Sequence, residues 1–99
     1  MERLQFLDVE RYKMRVSLQE KERLSDIAGE AIEKLNSPKN SVKSHWSSHD
    51  LFYLQKRLQD EQWELDDAIV RMKVSEITDE CYDNINFCLM IIDNLRGNK

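Results

Sequence analysis

Apolar residues recur along most of this chain three or four positions apart, and that interval predicts helices. Ser17-Leu18-Gln19-Glu20 fits a capping box, and Leu24, Ala28, Ala31 and Leu35 follow it in a narrow stripe. A helix over 17–35 results, with Gly29 inside it and its end before Asn36-Ser37-Pro38. Residues 36–46 are polar and basic and read as a linker. A second helix is expected over 47–73, starting at Ser47 with Asp50 as its box partner. Its apolar positions are Leu51, Leu54, Leu58, Leu65, Ile69 and Met72. After a short turn at Lys73-Val74-Ser75, Ser75 is placed to cap a third helix over 75–96. That helix carries Ile77, Cys81, Ile85, Cys88, Ile92 and Leu95, with Gly97 just past its end. A turn this short makes the last two helices antiparallel neighbours.

Residues 1–16 break the pattern. Tyr12, Met14, Val16 and Leu18 alternate with polar residues, a strand signal, yet no second strand is available to pair with them. A helix, or an N-terminal arm exchanged between subunits, is the expectation there. Two glycines and one proline in 99 residues also favour helices over a turn-rich β fold. The expected class is therefore all-α, in a single domain. A chain this short buries only about two-thirds of its unfolded surface, so an oligomer is expected to complete its core.

A net charge of −4 argues against a general nucleic-acid binder. The N-terminus lacks the apolar core of a signal peptide, and no apolar run is long enough to span a bilayer. Cys81 and Cys88 lie about 10 Å apart along one helix, too far to bridge each other. They read as reduced, buried thiols in a cytoplasmic protein without a membrane partner.

The chemistry-bearing pattern is two pairs of carboxylates. Glu61 and Glu64 share one helix face, and Glu80 and Asp83 share another, each pair at i, i+3. Nineteen acidic residues produce such pairs by chance, and most are simply solvated. These pairs differ in bordering apolar positions, where an unneutralised carboxylate is costly. On antiparallel helices the four converge, and hard oxygen donors select Mg²⁺, with Mn²⁺ as the alternative.

The stretch LQDEQWELDDAI followed by DECYDNINFCLMIIDNL resembles the MazG-like, all-α NTP pyrophosphohydrolases, whose mark is ExxE, a gap, then ExxD. The resemblance covers about residues 46–95. It implies an antiparallel helical bundle completed by a dimer or tetramer. It further implies Mg²⁺-dependent hydrolysis of a (deoxy)nucleoside triphosphate to the monophosphate and pyrophosphate. Glu61, Glu64, Glu80 and Asp83 would be the metal ligands and catalytic residues, and Asn86 is similar to a position near the substrate. Asp60 stands where the family usually has glutamate.

Cations for a triphosphate are available at Lys39, Lys43, Lys56, Arg57, Arg71 and Lys73, of which Lys56 and Arg57 lie one turn before Glu61. Trp46 offers a stacking surface for a base, or a staple for the linker. Trp63 is expected at a helix or subunit interface, Tyr82 at a pocket and Phe87 in the core. His45 and His49 have zinc-ligand spacing but lack the glutamate of a zinc protease helix. The reading from a different class is a non-catalytic helical oligomerisation or interaction module with an acidic binding face.

Overall fold

A computed structural model of the protein describes residues 15–37 and 45–97; the expectations for 1–14, and for Lys39 and Lys43, fall outside them. Among the described residues the chain is helical, with no strand. The elements are α1 (Leu18–Lys34), a 3-10 turn at Trp46–Ser48, α2 (Leu51–Val70) and α3 (Val74–Leu95).

The capping box forms at the start of α1. The Glu20 N–H donates to Ser17 Oγ at 3.1 Å, and the Ser17 N–H donates to Glu20 Oε1 at 2.8 Å. Such a box contributes about 1 kcal/mol.

The start of α2 differs from expectation. Ser47 belongs to the separate 3-10 turn, and Asp50 is the cap, its Oδ1 accepting the Tyr53 N–H at 2.8 Å. A carboxylate is the better acceptor at the positive end of a helix, so the aspartate caps rather than partners the serine.

The α2–α3 turn also differs. Lys73 N–H bonds the Ala68 carbonyl and Met72 N–H bonds that of Ile69, with Met72 at φ 55°. This is a Schellman closure with a methionine where glycine is favoured. It leaves Lys73 at the start of α3 with no side-chain cap, and Ser75 falls inside the first turn instead of capping it. Gly97 follows the end of α3 at φ 77°, the conformation expected of it.

Helix α3 is the centre of the molecule, with α2 against one side and α1 against another. Among the described residues the buried apolar positions are few: Ala31, Leu54, Ala68 and Met90. Three asparagine amides on α3 complete the packing. Asn84 Nδ2 donates to the Glu61 carbonyl of α2, Asn86 Nδ2 to the Ala31 carbonyl of α1, and Asn94 Nδ2 to the His49 carbonyl ahead of α2. At the end of α1 the Leu35 N–H turns to the Ile32 carbonyl, and the Asn86 amide serves the Ala31 oxygen. The cysteines are free thiols, but Cys81 is only half-buried and Cys88 is exposed. The buried line of α3 runs instead through Asn86, Met90 and Asn94, on another side of the helix from the cysteine stripe, whose later members, Ile92 and Leu95, are also exposed.

Candidate metal centre

The antiparallel α2–α3 pair brings Glu61 and Glu64 against Glu80. One carboxylate oxygen from each lies within 4.8 Å of the others. Glu61 is 5% exposed, and Arg57 Nη2 holds its Oε2 at 3.2 Å. The Arg57 guanidinium in turn sits 5.1 Å over the Phe87 ring, which fixes its direction. Glu64 faces solvent. Glu80 is half-buried, and its Oε1 is sealed from water with no hydrogen-bond donor. The Asn84 amide bonds the backbone carbonyls of Glu61 and Glu80 together, at 3.1 and 2.8 Å.

The electrostatics match that geometry. Burial pushes the Glu61 carboxyl above its ordinary value, and repulsion from Glu64 and Asp83 adds to it against the pull of Arg57. Burial likewise raises Glu80, again with Glu64 and Asp83 reinforcing and Lys34 opposing. Three carboxylates at this spacing, with the Glu80 Oε1 buried and without a donor, form a hard-oxygen set that suits Mg²⁺ or Mn²⁺. Among the described residues it is the sole group of His, Cys, Asp and Glu with metal-ligand spacing.

Asp83 stands apart from the trio. Lys34, at the end of α1, places Nζ 2.6 Å from Asp83 Oδ1, 2.9 Å from Asp79 Oδ1 and 3.2 Å from the Asp79 carbonyl. Burial opposes the Lys34 charge, but the bonds to Asp83 and Asp79 outweigh it and hold the ammonium above its usual value. Lys34 carries no local motif, and only the packing of α1 on α3 discloses it. Asn84 is the other residue that sequence reasoning missed, because an asparagine on a helix is ordinary until its neighbour is known.

The remaining candidates divide. Arg57 reaches the trio, whereas Lys56 is exposed and pairs with Asp60 at 3.2 Å. Arg71 bonds Asp67 and Glu76 at the hairpin end, where Lys73 also approaches Glu76. Asn86, 2% exposed, has its amide committed to Ala31 while its Oδ1 has no donor. Trp46 Nε1 donates to Asp93 at 2.9 Å, and its ring stacks on His45 at 3.8 Å. His49 stacks on Tyr53 instead of joining a metal set. Tyr82 donates its hydroxyl to Glu30, tying α3 to α1. A cavity of about 320 Å³ lies beside Trp46, walled by Ile32, Leu35, Leu89 and Ile92, with Asn86 and Arg96 on its border.

No helix among the described residues is long and apolar enough to cross a membrane. No family model, curated protein or solved structure matches the chain.

Proposed function

We propose that the protein is a Mg²⁺-dependent nucleoside triphosphate pyrophosphohydrolase of the MazG-like kind, acting in the cytoplasm as a homo-oligomer. The observation that carries this reading is the trio of Glu61, Glu64 and Glu80, with the Glu80 Oε1 buried and lacking a donor. The ExxE and ExxD marks over residues 46–95 support it from the sequence side.

Glu61, Glu64 and Glu80 would hold the cation, and Asp83, one turn along, would serve as the fourth ligand by exchanging its bond to Lys34. Bound there, Mg²⁺ or Mn²⁺ supplies charge neutralisation for the phosphates and a more acidic water. Arg57 keeps the Glu61 carboxylate in one orientation through a hydrogen bond and its seat over Phe87. Asn84 fixes the separation of the two helices at the ligands. Lys34 neutralises Asp83 and Asp79 while no cation is bound. Arg57 would border the phosphate side, and Trp46 with the adjoining cavity and Asn86 would take the base. Self-association is part of the proposal because Leu18, Phe52, Trp63, Val70, Met72 and Val74 each leave more than two-thirds of their surface exposed.

The test is pyrophosphate release from a panel of NTPs and dNTPs with Mg²⁺, Mn²⁺ or EDTA. Metal-dependent release from any of them is expected and names the substrate class. Folded protein that releases none from any substrate overturns the reading. One observation favours the second reading, an interaction module with an acidic face: Lys34 already neutralises the fourth carboxylate. In that case Glu64 and its neighbours would dock a basic partner.

A further inference from the structure

Helix α2 has two opposite faces. Leu54, Glu61 and Ala68, spaced seven apart, are its buried residues and point at α3. Phe52, Trp63 and Val70, spaced eleven and seven apart, fall on one line down the opposite side. That line is 74%, 69% and 80% exposed at its three apolar residues. Large aromatic side chains on the outer face of a soluble helix contribute nothing to the fold of one chain, and such residues are enriched where proteins meet. The same face carries Lys56, Gln59 and Asp66, all exposed.

The order of these six residues makes the face its own complement. If two α2 helices lie antiparallel about a two-fold axis level with Glu61, residues equally far from that level meet each other. Phe52 then faces Val70, Lys56 faces Asp66, and Gln59 faces Trp63. Phe52 and Val70 form an apolar pair, the basic residue meets an acidic one, and the Trp63 ring lies along the Gln59 side chain. A parallel arrangement would set Lys56 against Lys56 and Asp66 against Asp66. Mixed charge on this face and a net charge of −4 also speak against an anionic lipid surface as its occupant.

We infer that the outer face of α2 docks on the same face of a second copy of this chain, antiparallel, with the two Trp63 rings beside the two-fold axis. This interface leaves Glu61 on the far side of the helix, so it holds whether or not the carboxylates bind metal. It gives the self-association proposed above a definite surface and register.

Sedimentation across low to high micromolar concentration, on the full chain, tests it. The wild type should form dimers. Trp63→Glu should raise the dimer Kd about tenfold or more with helical content unchanged, since the ring touches mainly solvent in one chain. Val70→Glu should do the same and stands in if the first variant fails to fold. Lys56→Glu and Asp66→Lys should each weaken the dimer about threefold, and together restore it, because the reversed pair again meets opposite charge. A wild type that stays monomeric at every concentration overturns the inference, even if it binds another protein or a vesicle. So does a dimer indifferent to both glutamate variants, or a double charge reversal no tighter than the single ones. None of these readouts involves metal or nucleotide, so they are independent of the pyrophosphate assay.

Discussion

The Asn84 side-chain amide lies 3.1 Å from the backbone carbonyl of Glu61, across the α2–α3 interface, and it bonds the Glu80 carbonyl on its own helix as well. One neutral group thus sets how far apart two of the three clustered carboxylates stand. Asn84→Ala should lower stability by about 1–2 kcal/mol through the lost bonds. It should also weaken Mn²⁺ binding, because the helix separation at the trio is no longer fixed. Urea unfolding and titration with Mn²⁺ read the two effects separately. Unchanged values in both would mean that the bridge has no energetic role.

Neutralising one of the clustered carboxylates should help the fold and harm the site. Glu64→Gln or Glu80→Gln relieves like-charge repulsion, so thermal stability without metal should hold or rise. Millimolar Mg²⁺ should raise the Tm of the wild type by mass action and leave either variant unmoved. Pyrophosphate release, if the proposed activity is present, should vanish in both. A variant that keeps full turnover counts against the metal site.

The pH dependence has a definite sign. Glu61 and Glu80 hold their protons above the ordinary value of 4.5 when folded. Between that value and the raised one the folded chain binds more protons than the unfolded chain, so their contribution to stability falls as pH rises. Glu20 and Glu76 are lowered, by hydrogen bonds from Ser17 and from Arg71, and act in the opposite direction. Comparison with Glu80→Gln cancels those two. The stability of the variant relative to wild type should therefore grow as pH is raised from 4.5, and saturating Mg²⁺ should reverse the difference. A flat difference across that range would show that Glu80 is not strained by its neighbours.

Removing Lys34 should separate two effects that its position combines. Lys34→Met breaks the tie between α1 and α3 and leaves Asp79 and Asp83 facing each other, for a loss of about 1–3 kcal/mol in metal-free stability. The same change removes a cation from beside the trio, so Mn²⁺ should bind severalfold more tightly. Weaker Mn²⁺ binding in a folded Lys34→Met protein would show that the lysine organises the site rather than competing for it.

Met72→Gly should stabilise the protein by about 1 kcal/mol, since φ 55° is strained for a side chain and ordinary for glycine. For a domain of this size that is roughly 4–8 °C in Tm. The side chain is exposed, so little packing is lost in exchange.

Local order is what the sequence discloses best. Ser17 and Glu20, Gly97, and the i, i+3 placement of Glu61 with Glu64 and of Glu80 with Asp83 depend only on residues a turn or so apart. The cap at Asp50 and the Schellman turn at Met72 are less legible, because Ser47 and Ser75 are equally good capping residues by type and Met72 is not a residue that favours positive φ. Asp83 paired with Lys34, and Asn84 bonded to Glu61, depend on residues 49 and 23 positions away in the sequence, which no spacing rule connects. The expectation of buried cysteines failed for a related reason. The asparagine amides bond carbonyls on neighbouring helices, so the buried side of α3 runs through Asn86, Met90 and Asn94 and leaves Cys88 exposed.

The three asparagines of α3 have a further consequence. Greasy helix faces slide against each other at little cost, because a shift of one turn, about 5.4 Å, sets similar side chains opposite one another. Amide-to-carbonyl bonds do not slide. A displaced α3 would abandon the Glu61, Ala31 and His49 oxygens at the same moment. A chain with so little buried hydrocarbon thereby acquires a single vertical alignment for its central helix, and the carboxylates of α3 reach those of α2 at one height only.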